Sequence, residues 1–269
     1  MTQKAVSSLA RGMAKQVYIG CYRALQCAGI TPRPRWLLVF AHARSGSSLL
    51  THILASNPRI LAWGEVRWTY RTCADFLASE LYSRKMAGKL FRPFDYITDK
   101  INQNALTPDL ELFDSTDIDI ILLTRDPARA ASSLLAMSDS YKAGVDKAWV
   151  MDYFLQRYPY LARFGTEHQH SRRIWISYES LLNDTDAVLN TLAQFLSLSS
   201  PLSERYPTHQ FTGMRGDPSP KIWTGRIEAS QRPLRSDLTT DELKDLASAG
   251  KACEDQLRHL SYQHYSSEP

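Results

Sequence analysis

Phe40 to Leu54 reads FAHARSGSSLLTHIL, an apolar run that breaks at Arg44, Ser45, Gly46, Ser47 and Ser48 and resumes at Leu49. A strand that feeds a helix through so short a loop aims several backbone N–H groups and the positive end of the helix dipole at one point, which suits an anion. The serine hydroxyls can donate further hydrogen bonds, and Arg44 adds a permanently charged, two-pronged donor. A nucleoside-triphosphate loop needs two glycines and a lysine followed by Ser or Thr. One glycine behind an arginine counts against a kinase or ATPase. Taken alone, the stretch is equally an ordinary serine-rich helix cap.

A second stretch, ILLTRDPARAASSLL, repeats the arrangement: an apolar run, Arg125, a turn at Asp126 and Pro127, and a helix bearing Ser132 and Ser133. Two anion-ready junctions predict a ligand with two separated anionic groups. By itself Arg125 reads as a surface residue ahead of a helix-starting proline. Glu65 follows a short strand-like run in LAWGEVRWTY, with Trp68 beside it and Arg67 and Arg71 near enough to pair with it. Lys100 ends a probable strand in DYITDKINQN, where a surface lysine is the alternative. GDPSPKIWTGRI sets Gly216, Lys221, Gly225 and Arg226 in a loop too polar for the core, and a plain surface loop is again the alternative. Among the histidines, His42 sits on the approach to the first loop and His52 reads as packed. His168 and His170 lack a third metal ligand and read as solvent-facing, and no metal is expected.

These residues need a scaffold to bring them together. Strands are expected at Trp36–Ala41, Ile60–Trp63, Tyr96–Asp99, Ile118–Thr124 and Arg173–Ser177. Helices are expected near Ser47–Ser56, Phe76–Lys89, Ala128–Met137, Lys147–Phe164 and Asp186–Leu196. Continuous apolar strands separated by helices predict an α/β fold, three layers with a central parallel sheet. Pro201 to Arg235 reads as long surface loops, and no linker divides the chain. The expectation is one domain over 1–269, with residues 1–35 as an N-terminal helical extension packed on it.

With 269 residues, 43% hydrophobic and 22% charged, the composition is that of an ordinary globular protein. A net charge of +4 without basic runs favours a small anionic ligand over nucleic acid. Cys21, Cys27, Cys73 and Cys253 form no CxxC pair and read as reduced thiols of a cytoplasmic protein. Lys15, Gln16 and Arg23 interrupt the N-terminal stretch, so it offers neither a signal-peptide core nor about 20 apolar residues to span a membrane. It reads as an amphipathic helix, for which weak contact with an anionic membrane surface is a second reading.

Together the two junctions resemble the sulfotransferase family that uses 3′-phosphoadenosine 5′-phosphosulfate (PAPS), most closely its carbohydrate-type and bacterial members. The resemblance implies a P-loop-like sulfotransferase fold. It also implies transfer of the sulfuryl group to a hydroxyl or amine of a small-molecule, lipid or carbohydrate acceptor, releasing adenosine 3′,5′-bisphosphate (PAP). Arg44, Ser45, Gly46, Ser47, Ser48 and Leu49 would then form the 5′-phosphosulfate loop, with Arg44 and Ser48 acting on the leaving phosphate. Arg125 and Ser133 would hold the 3′-phosphate, and Lys221 or Arg226 would close over it. WISYESLLNDTDAVLNTLAQFLSL is similar to the family's Tyr-Glu-x-Leu segment, which would bring Tyr178 near the adenine. GEVRW is similar to the Glu-Pro-x-Trp segment in which the glutamate is the catalytic base, with Val66 in place of the proline. Glu65 is therefore the expected base and His42 its rival, with Trp68 and Lys100 on the acceptor side.

The chain departs from the cytosolic small-molecule branch, many members of which have lysine where this chain has Arg44 and an adenine-packing tryptophan where it has Leu49. Arginine is a poor proton donor, so catalysis would lean on electrostatics, and adenine must be held by something other than a ring at Leu49. Two alternatives remain at this point: a PAP- or PAPS-binding protein without turnover, acting as a sensor or scaffold, and a P-loop phosphotransferase, for which the Walker lysine is missing.

Overall fold

Trp36, Leu38 and Phe40 leave the first strand on one side and Leu37, Val39 and Ala41 on the other, and both sets are buried. A strand that is apolar on both sides has to be covered on both. The computed structural model, which describes residues 20–25, 27–29, 33–106, 108, 112, 118–141, 145–167, 172–213, 220–228, 234–235 and 237–265, shows how. β1 (Arg35–Ala41) is the middle of a five-stranded sheet with β2 (Ile60–Ala62), β3 (Tyr96–Ile101), β4 (Ile118–Thr124) and β5 (Arg172–Ser177). The order is β2-β3-β1-β4-β5 and every pair is parallel.

One face is covered by α2 (Cys73–Met86), α3 (Pro127–Tyr141), α4 (Lys147–Glu167) and α7 (Thr240–Leu257). The other is covered by α1 (Ser47–Ser56), α5 (Tyr178–Asn183) and α6 (Thr185–Phe195). This is the three-layer α/β/α arrangement expected from the strand pattern. The chain runs from β1 through β2 to β3 on one side and from β4 to β5 on the other. The carboxyl ends of β1 and β4 therefore flank a switch point, where open parallel sheets bind ligands.

Three differences from the expected elements have physical causes. α2 starts at Cys73 rather than Phe76, because Thr72 and Asp75 form a capping box ahead of the apolar pattern. β3 runs to Ile101 instead of stopping at Asp99; Lys100 is buried inside it, a charged residue that the apolar pattern does not credit to a strand. No element was expected beyond Arg235, yet α7 starts at a Thr239–Glu242 capping box and buries Leu246, Gly250, Cys253 and Leu257 at helical spacing.

Within Pro201–Arg235 the described residues are loops around a 3-10 turn at Pro220–Thr224. His168, His170, Gly216 and residues 1–19 lie outside the described residues. Tyr22 packs with Leu77 and Leu81 and donates its hydroxyl to Glu80 (2.8 Å). No helix among the described residues is long and apolar enough to cross a membrane. Cys253 is buried, which pushes its thiol up to about 12, whereas Cys21, Cys27 and Cys73 are exposed.

Candidate active site

The loop after β1 steps into left-handed backbone at Arg44 (φ 62°) and again at Gly46 (φ 92°). A Cβ on Gly46 would lie 2.3 Å from Tyr178 Cδ2, so only glycine lets the backbone lie against that ring. α1 begins with no acidic residue in its first turn and no side-chain cap, which leaves its first N–H groups open to an anion. Ser45 is buried beneath the loop, and its Oγ has no hydrogen-bond partner among the described residues.

β4 ends beside this loop and locks onto it. The Arg125 N–H donates to His42 Nε2 (3.0 Å), and the Arg125 guanidinium donates to the Arg44 carbonyl (3.0 Å). The same guanidinium lies over the Tyr178 ring, 4.5 Å from its centre. Arg44 Nε donates to Ser133 Oγ (3.1 Å), so the two junctions make one site. Arg125 Nε is buried without a partner among the described residues. Burial pulls the Arg125 guanidinium below its ordinary value, yet arginine stays charged.

A single cavity is walled by Arg44, Gly46, Ser47, Ser48, Leu49, Arg125, Ser133, Tyr178, Lys221 and Arg226, all candidates from sequence. Its wall also holds Ser132 of the second junction, together with Asn102, Arg129, Tyr206, Ile222, Glu228 and Arg235, to which spacing gives no site role. Six basic side chains (Arg44, Arg125, Arg129, Lys221, Arg226, Arg235) thus share the wall with one carboxylate, Glu228, which accepts from Arg226 Nε (2.9 Å), while Arg235 is paired behind the wall with Asp139 and Asp237.

Glu65 sits next to this cavity rather than in its wall. Gly64 (φ 72°) turns the chain after β2 and packs on Phe211, and the Glu65 side chain is 2% exposed. Its Oε1 accepts from Gln103 Nε2 (2.7 Å) and Arg67 Nε (3.1 Å), while Oε2 faces Lys100 Nζ at 3.9 Å. Lys100 in turn donates to Ser48 Oγ (2.8 Å), bridging the carboxylate to the first loop. Asp99, on the neighbouring position, accepts from the Val66 N–H (3.1 Å), the Lys100 N–H (2.8 Å) and the Tyr70 hydroxyl (2.8 Å). Burial, with the Glu65 charge adding to it, raises the Asp99 carboxyl to about 6.

His42 and Trp68 are not brought to the cavity. Trp68 Nε1 donates to Asp75 (3.3 Å) at the start of α2, and its ring packs on the core. His42 is fully buried, with Nδ1 against the Ala43 carbonyl (2.8 Å) and Nε2 accepting from Arg125. Burial lowers it to about 4, so it is a neutral acceptor that fixes the end of β4. Tyr178 is in the wall, but its ring is already engaged by Gly46 and Arg125.

Fold and site together define an α/β protein in which two strand-to-helix junctions line one basic cavity at the switch point of a parallel sheet. The model of the sulfotransferase family matches residues 95–201, from β3 through α6. No curated protein matches it. Among solved structures it is similar to a sulfotransferase domain from the curacin biosynthetic pathway, with 16% identity over 80% of this chain and 97% of that one and a TM-score of 0.49. It is also similar to a sulfotransferase from Alicyclobacillus acidocaldarius, with 18% identity over 86% of this chain and 96% of that one and a TM-score of 0.43. Retinol dehydratase in a complex with retinol and PAP matches with 15% identity over 64% of this chain and 62% of that one, at a TM-score of 0.36. At TM-scores below 0.5 these likenesses carry no weight for function.

Proposed function

We propose that the protein transfers a sulfuryl group from PAPS to a hydroxyl or amine of a small-molecule, lipid or carbohydrate acceptor. The observation that carries this reading is the cavity wall, with six basic side chains against one carboxylate at an uncapped helix N-terminus. A nucleotide with phosphates at both 3′ and 5′ ends suits that wall, and it would give the orphaned Arg125 Nε an acceptor. In this reading Arg44, Ser45, Ser47, Ser48 and the first N–H groups of α1 hold the 5′-phosphosulfate. Arg125 and Ser133 hold the 3′-phosphate, with Lys221 and Arg226 over it. Leu49, Tyr206 and Ile222 are left to pack the adenine.

The acceptor oxygen or nitrogen attacks sulfur while the bond from sulfur to the 5′-phosphate oxygen breaks, and the electron pair leaves with PAP. Glu65 Oε2 takes the acceptor proton, its Oε1 being held by Gln103 and Arg67. Lys100 donates to Ser48 Oγ, which leaves the serine's own proton free to point at the departing phosphate beside Arg44. A binding protein without turnover would have no use for a buried carboxylate held this way beside the loop. Exposed thiols at Cys21, Cys27 and Cys73 favour a reducing compartment such as the cytoplasm.

The test is a melt with nucleotides. PAP at about 100 times its Kd should stabilise the protein by about 2.7 kcal/mol and raise Tm by several degrees. ATP with Mg²⁺ stabilising it as well as PAP would overturn the reading. Incubation with labelled PAPS and a panel of hydroxylated acceptors, read as the mass gain of one sulfuryl group, then identifies the acceptor.

A further inference from the structure

Arg157 lies in the middle of α4 with none of its side chain exposed. Buried guanidinium groups are ordinarily balanced by a carboxylate, as Arg84 is by Glu80. Among the described residues no carboxylate is paired with Arg157. Its Nε donates to the carbonyl of Ala41 (2.9 Å), and one terminal nitrogen donates to the carbonyl of Ile101. The other terminal nitrogen has no hydrogen-bond partner among the described residues, and the Tyr160 ring lies 4.9 Å from the guanidinium. Arginine remains charged even here. A buried charge without a counter-ion is among the costliest features a fold can hold.

Ala41 and Ile101 are the last residues of β1 and β3. β1 runs directly into the loop of Arg44 to Ser48. β3 runs into Asn102, which is in the cavity wall, and Gln103, which holds Glu65. One turn earlier on α4, the Tyr153 hydroxyl ties the same two segments, accepting from the Ala43 N–H (2.7 Å) and donating to the Asn102 carbonyl (2.5 Å). α4 therefore clamps both strand ends from below. A carboxylate beside Arg157 would have satisfied the guanidinium, and it would also have cancelled its field. That field reaches the loop, since after burial the charges of Arg157 and Arg125 also lower His42.

Resting on the PAPS reading, we propose that Arg157 is a positioning residue for the anionic donor. It fixes the ends of β1 and β3 relative to each other, and it keeps an uncancelled positive charge beneath the loops that receive the phosphates.

The experiment compares the parent chain with Arg157→Gln, neutral but able to donate, and Arg157→Met, neutral and unable to, measuring Kd for PAP and for adenosine by calorimetry, and Tm; lysine is not used, because a buried amine without a counter-ion gives up its proton. Both neutral variants should bind PAP about tenfold or more weakly than the parent chain, as expected for a unit charge acting from about 10 Å through protein. Adenosine, which carries no phosphate, should bind all three alike. If Met does not fold, Gln alone is compared with the parent chain. Parent-like PAP affinity in the Gln variant, whatever its Tm, would show that Arg157 is only a brace and overturn the inference. Failure of the unaltered chain to bind PAP would overturn the PAPS reading and this inference with it.

Discussion

Arg44 Nε donates to Ser133 Oγ across 3.1 Å, so the loop after β1 is held by the helix after β4. Arg125 closes the same link from the strand end by donating to the Arg44 carbonyl. A ligand that engages one junction therefore meets the other already in register, which is what a rigid nucleotide with two phosphates requires.

The first prediction separates the two phosphates. If Arg125 holds the 3′-phosphate, Arg125→Ala removes a charge-assisted contact worth about 1.5–3 kcal/mol. PAP should bind about 10- to 100-fold more weakly, while adenosine 5′-phosphosulfate, which lacks the 3′-phosphate, should be nearly unaffected. Calorimetric titration of both ligands checks this. Equal losses would mean that Arg125 serves only to hold Arg44 and Tyr178.

The second concerns Gly46. Alanine there has to adopt φ 92° and to place its Cβ 2.3 Å from the Tyr178 ring, which in turn supports the Arg125 guanidinium. Gly46→Ala should lower stability by about 1–3 kcal/mol in urea melts. It should also weaken PAP binding, because displacing Tyr178 displaces Arg125. Unchanged PAP affinity in the folded variant would show that the loop absorbs the methyl group without moving the ring.

The third uses Asp99, whose carboxyl burial raises from 3.8 to about 6. A carboxyl with a raised native pKa contributes stability that is present below about pH 4 and lost as pH rises through 6. Asp99→Asn removes that dependence, so the variant should gain on the parent chain by about 2 kcal/mol between pH 4 and pH 7. Urea melts at several pH values give the gap. A constant gap would mean that the hydrogen bonds from Val66, Lys100 and Tyr70 offset the burial.

Much of this was legible in the sequence because of where the apolar residues lie. β1 and β4 are covered on both faces, so they read as unbroken apolar runs, and the loops that follow them stand out by contrast. Lys100 hid the end of β3, since a charged residue inside a strand looks like its boundary. α7 carried a readable pattern at Leu246, Gly250, Cys253 and Leu257 and a capping box at Thr239, neither of which had been credited. Gln103 and Arg157 gave no signal at all. Their importance comes from meeting Glu65, Ala41 and Ile101 across long separations in sequence, which spacing does not encode. His42 looked chemical because it stands beside the loop, whereas the fold uses it as a neutral acceptor for the Arg125 N–H.

The last prediction decides between an enzyme and a binding protein. Glu65 Oε1 is held by Gln103 and Arg67, and Oε2 has only the longer approach to Lys100 among the described residues. Glu65→Gln keeps the shape and an oxygen for those two donors but leaves an amide in place of the basic oxygen. If Glu65 takes the acceptor proton, turnover should fall about 10²- to 10⁴-fold. PAP affinity should change little, because the wall that would hold the nucleotide contains Arg44, Ser48, Arg125 and Ser133 and not Glu65. Single-turnover sulfuryl transfer alongside PAP calorimetry separates the two effects. Near-normal rates in the glutamine variant would rule Glu65 out as the base. Loss of folding together with PAP binding would make it a structural partner of Arg67, Gln103 and Lys100, and the buried carboxylate would then no longer argue for turnover.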